Sequence, residues 1–309
     1  RKMRRLPHRL RRWPLALAVG LGLQLWSSGF VLCGEGPTQR RSGRRGLLSA
    51  SAVSPEQAAA KKELLDAIDA FNSELNKTGG NLSIDFGVKG GELDKKDRAP
   101  KNLAAAGIFR AVSDDLGNAA DRVLELADSL AAYTPYKEPL RTFGTPSGAT
   151  ECPLHGAWRL LFTTAADATF TRNSSRGAAK VCNVVDAAAG TVTNCIDFES
   201  ESEESSPLLE CLRVRLTAKA VSSRRLDLAF RFVRARLTRF FGIPLGGRRL
   251  TLTLPVPGPF LTRLLSFFTR KPPPQPYFEL LYLDDTLRVH KTGQGNLFVQ
   301  QRAEPPLFA

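Results

Sequence analysis

The chain has 309 residues and a formal charge of +14 at pH 7, but the charge is unevenly placed. Residues 1–55 hold eleven Lys and Arg against the single acid Glu35, so +10 of the total lies there and the rest of the chain carries only +4. A nearly balanced body argues against nucleic acid as a partner.

The first segment reads as an address. Basic residues around Met3 precede an apolar run, Pro14–Trp26, and then the small residues Ser27, Ser28 and Gly29. The run is short for a membrane span and fits the apolar region of a signal peptide. Gly36–Ala52 follows, rich in Arg and Ser and free of acids, as transit peptides are. The pair resembles the bipartite leader of algae whose plastids lie inside extra membranes, and Phe30 fits that resemblance. Residues 1–55 are therefore expected to be a plastid-targeting leader. A single uncleaved membrane anchor is the other reading.

Four cysteines lie beyond the leader, Cys152, Cys182, Cys195 and Cys211, with no Cys-x-x-Cys among them. His155 and His290 are the remaining histidines. That is little material for a metal centre or a nucleophilic triad, so no metal site, catalytic residue or cofactor is expected.

Residues 56–150 read as helices and a linker. The spacing predicts a helix over 56–76, capped by Ser54 with Pro55 at its start and Leu64, Leu65, Ile68, Phe71 and Leu75 on one stripe. Residues 77–106 are polar and Gly-rich, hence a loop. A second helix, about Asp114–Ala132, places Leu116, Ala120, Val123, Leu124, Ala127 and Leu130 on one face. Pro135, Pro139 and Pro146 mark a linker.

Residues 151–309 change to a period of two. Trp158, Leu160 and Phe162 alternate; so do Val192, Asn194, Ile196 and Phe198, then Leu212, Val214, Leu216 and Ala218, then Leu226, Leu228, Phe230 and Phe232, then Leu250, Leu252 and Leu254. Most of their intervening positions are polar or charged, the mark of half-buried antiparallel strands. With Lys180–Asp186, Phe278–Lys291 and Asn296–Gln301 about eight strands result. The expected fold is mainly β, an up-and-down antiparallel barrel with N-terminal helices, because closure removes exposed edges and leaves an interior for one small ligand.

Two stretches hold chemistry-bearing residues. "YLDDTLRVHKTGQGNLFV", Tyr282–Val299, joins Asp284, Asp285, Arg288 and His290 to a Gly-x-Gly. Paired acids with a His can do acid–base work. The Gly-x-Gly precedes a strand-like "NLFVQQ" rather than a helix, so it reads as a hairpin turn in which Gly293 and Gly295 supply positive φ, not as a phosphate loop. "VCNVVDAAAGTVTNCI" reads as a second hairpin: if Asp186 pairs with Thr191, Cys182 stands opposite Cys195 on the outer face. The acidic run Asp197–Glu210 reads as a solvated loop, and the eleven basic residues of 213–249 as an outer face, either solvated or turned to anionic lipid. Pro257–Pro274 places Phe260, Leu264, Phe267 and Phe268 on or beside one helical face, which suits membrane contact or a lid.

"GAWRLLFTTA" and "YLDDTLRVHKTGQGNLFV" together resemble the plastid lipid-associated protein family, the fibrillins or plastoglobulins. Gly156, Trp158, Arg159, Leu160 and Leu161 match its opening strand. Tyr282, Leu283, Asp284, Leu287, Arg288, Val289, Gly295, Leu297, Phe298 and Val299 match its closing segment. Lys291 and Thr292 depart from the pattern. The resemblance implies a lipocalin-like barrel in plastids, at plastoglobules, thylakoids or in the stroma, that binds isoprenoid or acyl lipid without catalysis. It implies that Arg288 closes one barrel end against Trp158, with Asp284 or Asp285 as countercharge. The interior lipid-binding wall is then Trp158, Leu160, Phe162, Phe230, Phe232 and Tyr282. The alternatives are a lipid-metabolising enzyme using Asp284, Asp285 and His290, and an adaptor that recruits a lipid-biosynthetic enzyme as protein partner.

Overall fold

The computed structural model describes residues 54–78, 107–110, 112–165, 179–198, 209–240, 243–245, 249–255 and 275–306. Residues 1–53 of the expected leader, and Phe260, Leu264, Phe267 and Phe268, lie outside them. Helix α1, Pro55–Lys77, opens on Ser54, whose hydroxyl accepts from Gln57 N at 3.1 Å. A short α2, Gly107–Arg110, leads into α3, Asp114–Leu130, capped by Ser113 through Leu116 N. The expected second helix thus ends in a 3-10 turn, Ala131–Tyr133, and α4, Gly148–Glu151, precedes the strands.

Eleven strands follow among the described residues: β1 Gly156–Thr163, β2 Ala179–Asp186, β3 Thr191–Phe198, β4 Leu209–Ala220, β5 Arg225–Leu237, the two-residue β6 Arg239–Phe240 and β7 Ile243–Pro244, β8 Leu250–Pro255, β9 Tyr277–Leu283, β10 Leu287–Thr292 and β11 Leu297–Ala303. Eight close a ring in the order β1-β2-β3-β4-β5-β9-β10-β11, every neighbour antiparallel. Closure turns on β5. One edge pairs with β4 throughout; the other pairs with β9 over Arg225–Asp227 and with β8 over Phe232–Leu237. Phe278–Lys291 supplies two ring strands, β9 and β10, rather than one, and Leu250–Leu254 hangs outside the ring on β5.

Two apolar clusters sit on opposite sides of the wall formed by β9, β10, β11 and β1. The inner one lies inside the ring, with Trp158, Val181, Ile196, Leu212, Leu216, Leu226, Phe278 and Phe298, plugged at one end by Leu140, Phe143, Cys152 and Leu154. The outer one packs Leu64, Ile68 and Phe71 of α1, Phe109 of α2, and Leu116, Val123 and Leu130 of α3 on Leu287, Val289, Leu297 and Val299. The 3.6-residue stripes and this flat strand face bury each other, which neither could do alone. Phe71 meets Phe109 and Phe162 edge to face, both at 4.9 Å between ring centres, worth ~0.5–1.5 kcal/mol beyond area burial.

Bulges correct the expected interior. The register slips between Leu160 and Phe162, between Arg215 and Leu216, and between Val289 and His290. One extra residue sends the next side chain to the other face. Phe162 and Tyr282 therefore belong to the outer cluster under the helices. Phe230 pairs with Leu216 and packs inward, whereas Phe232 pairs with Arg215 on the outside, beneath the Arg234 guanidinium. Trp158 and Leu160 remain inside.

Candidate functional site

The plugged end of the barrel is held by an arginine that the sequence reading did not single out. Arg302 of β11 donates to three carbonyls, His155 at 2.8 Å, Pro153 at 2.7 Å and Asp285 at 2.5 Å. Its guanidinium lies 4.3 Å from the Trp158 ring centre. Trp158 donates through Nε1 to Leu154 O at 2.9 Å. Gly156 has φ 125°, and a Cβ there would stand 2.7 Å from Arg302 Nη1, so the glycine of the Gly-x-Trp opening leaves room for that side chain. Arg288 also faces Trp158, at a longer 5.4 Å. The fastening expected of Arg288 is thus made chiefly by Arg302.

Asp284 does not serve as the countercharge of Arg288. It sits in the β9–β10 turn, where Oδ1 accepts from Thr286 N at 2.7 Å and Leu287 N at 2.6 Å, an Asx-type turn. Oδ2 accepts from Tyr282 Oη at 2.6 Å and pairs with Lys61 of α1 at 2.5 Å. Gln57 donates to Tyr282 Oη at 2.8 Å. Burial opposes ionisation of Asp284, yet the bonds from Lys61, Tyr282 and Thr286 prevail and hold the carboxyl below its usual range. Burial first, then the bond to Asp284, pushes the Tyr282 phenol up. This outward group clamps α1 to the barrel. Asp285 accepts from Tyr136 Oη at 2.7 Å. Asp284, Asp285 and His290 therefore do not converge as an acid–base site.

Inside, near the plugged end, the ring carries a polar cluster. Arg288 and His290 of β10, Gln300 of β11, Asn183 of β2 and Asn194 of β3 are all buried. Arg288 Nε donates to Gln300 Oε1 at 2.8 Å and Nη2 donates to Asn183 Oδ1 at 2.5 Å and to Gln300 Oε1. Gln300 Nε2 donates to Asn183 Oδ1 at 2.7 Å, and Asn183 Nδ2 to Asn194 Oδ1. Arg288 Nη1 has no hydrogen-bond partner, and among the described residues no carboxylate lies within ion-pair distance of this guanidinium. Burial pushes Arg288 down to about 9, so it stays protonated at neutral pH.

His290, which the family pattern leaves unexplained, stacks on Phe298 at 5.0 Å and tilts against Phe278 at 4.8 Å. Burial, then the Arg288 charge, pushes it well below the ordinary imidazole value, so it is neutral. Its Nδ1 is buried without a partner.

Cys182 stands directly opposite Cys195, with Asp186 opposite Thr191 as the spacing predicts. No disulfide joins them, and burial raises Cys182 to about 12, far from a reactive thiolate. At the Tyr277–Gly293 contact a Cβ on Gly293 would stand 2.6 Å from the Tyr277 ring; only Gly295 of the two turn glycines has positive φ, 83°. Among the described residues no group of three or more His, Cys, Asp or Glu is placed to hold a metal ion, and no helix is long and apolar enough to cross a membrane.

The described strands thus form a closed antiparallel ring with one plugged end, an apolar inner cluster and one buried polar layer. The family model PAP_fibrillin matches residues 107–301, more than half of the chain, and the chain belongs to that family of plastid lipid-associated proteins. The family is generally structural rather than enzymatic, and membership implies the plastid. No curated protein and no solved structure matches the chain.

Proposed function

We propose that the chain is a non-enzymatic lipid-binding protein whose barrel holds an isoprenoid or acyl lipid at plastoglobules or thylakoid membranes. The observation that carries this reading is the ring itself. Its inner cluster is apolar, with Leu216 and Leu226 fully buried and Leu160, Phe230, Val233 and Ala235 partly buried. Trp158, Leu160 and Phe230 are the members of the expected wall that contribute to it. Organic extraction of the purified full chain, followed by mass spectrometry, should release a stoichiometric lipid. Lipid-free protein that also takes up none from vesicles would overturn the reading.

Membrane contact is the second part. On β8, Leu252 and Leu254 are 37% and 41% exposed, on the chain just before Pro257–Pro274. Phe260, Leu264, Phe267 and Phe268 are proposed to extend this apolar edge into a lipid surface. Phe267→Ser with Phe268→Ser should reduce flotation with vesicles of plastid-like lipid at least several-fold while leaving the melting temperature unchanged. Equal flotation would remove those residues from the contact.

A further inference from the structure

The proposed lipid-binding reading leaves the polar layer of the barrel without a task, and any ligand assigned to that layer rests on the same reading. Arg288 is placed with care. Three of its five N–H bonds go to Asn183 and Gln300, which are themselves tied to each other and to Asn194. Such a frame fixes the guanidinium plane and leaves one arm over. That arm, Nη1, carries two N–H groups, is buried, and has no partner. The rings of Trp158 and Phe278, 5.4 and 5.8 Å from the guanidinium carbon, shield it from water but accept no directed N–H bond. His290 Nδ1, two residues along the same inward face, is a second buried polar atom without a partner. Buried polar groups are nearly always satisfied, and a buried charge nearly always paired. The orphan arm of Arg288 lies deepest on this face, before His290 Nδ1 and, two residues further, Thr292 Oγ1, which is also buried without a partner, and it points to a ligand whose head completes it.

We propose that this layer is an anion seat for a single-chain carboxylate lipid. The head is held by Nη1 of Arg288, and the chain runs past His290, Phe278 and Phe298 toward the end away from the plug. Charge selects the carboxylate over a phosphate head. Arg288 supplies one positive charge, His290 is neutral, and the surrounding amides supply none, so a monoanion leaves the layer balanced. A dianion would bury excess negative charge. Guanidinium and carboxylate also match as planar partners. The apolar lining beyond, Val181, Ile196, Leu280 and Phe278, suits an acyl chain.

The test compares equilibrium binding of three radiolabelled sixteen-carbon probes, palmitate, hexadecanol and hexadecyl phosphate, to the full chain at pH 8. Palmitate should bind at least tenfold tighter than hexadecanol and tighter than hexadecyl phosphate. Arg288→Met should bring palmitate to the affinity of hexadecanol while changing hexadecanol less than twofold. Should that variant fail to fold, the order of the three probes on the unaltered chain still decides. Palmitate labelled with carbon-13 at the carboxyl, bound to the same chain, should resist protonation to a lower pH than in solution. Palmitate no tighter than hexadecanol, or hexadecyl phosphate tighter than palmitate, overturns the carboxylate seat and leaves lipid binding standing. If none of the probes binds, the lipid-binding reading falls and the seat falls with it.

Discussion

The two faces of the β9–β10–β11–β1 wall treat charge in opposite ways. Outward, Asp284 is met by Lys61, Tyr282 and two backbone N–H groups, and the apolar positions Leu287, Val289, Leu297 and Val299 are closed over by three helices. Inward, on the same strands, Arg288 and His290 keep unpartnered atoms in a buried layer. A satisfied group belongs to the fold; an orphaned one points beyond it. On the proposed reading, the chemistry-bearing residues of one short hairpin divide between building and binding according to which side of the sheet they face.

The contrast can be broken by mutation. Leu297→Ala, on the helix-covered face, should cost about 2–5 kcal/mol in denaturant unfolding and leave lipid affinity unchanged, since it opens a cavity only in the outer cluster. A loss of lipid binding at full folding would mean that the faces are not independent. Asp284→Asn should cost about 2–4 kcal/mol, because Lys61 and the turn lose a charged acceptor in a partly buried site. Arg288→Met should change stability by less than about 2 kcal/mol in either direction: an unpaired buried charge is removed while Gln300 loses a donor. An Arg288 variant more damaging than the Asp284 variant would reverse the assignment of roles.

The smallest effect is in the pH profile. His290 is held neutral in the fold by burial and by Arg288, the charged group beside it, whereas in the unfolded chain it takes a proton near pH 6.5. The unfolded state then binds more protons, so stability falls as pH drops below about 6.5. His290→Phe should flatten that slope relative to the unaltered chain in chemical denaturation at stepped pH. The depressed carboxyl of Asp284 acts in a separate, more acid window. Its contribution is complete above the unfolded value near 3.9 and is lost as pH falls toward its folded value. A flat difference between the two proteins from pH 7 to 5 would show that His290 does not titrate across unfolding.

Much of the architecture was legible because half-buried strands and amphipathic helices write their period into the chain: both long helices and the Cys182–Cys195 register follow from it. The bulges were not legible. Alternation carries Phe162, Phe232 and Tyr282 inward on paper, and each is turned outward by one unpaired residue that leaves no mark in the pattern. β11 hid its site residues for another reason. It is buried on both faces, Leu297 and Val299 toward helices and Phe298 and Gln300 toward the interior, so it lacks a polar side to read. Arg302 and Lys61 act through partners far along the chain, which spacing does not encode. The orphan arm of Arg288 became visible only as a sum over every acceptor around it.

The clasp between Lys61 and Asp284 joins positions 223 residues apart, and the ring itself closes between its first and last strands. Contacts of such reach are slow to form, because chain entropy is spent before they reward it. A chain made from its N-terminus therefore carries the oily stripe of α1 and α3 uncovered until β9, β10 and β11 have been synthesised. The wall that shelters those helices arrives last. For this molecule the vulnerable interval is the wait for the β10–β11 hairpin, and a holding chaperone would have most to do there.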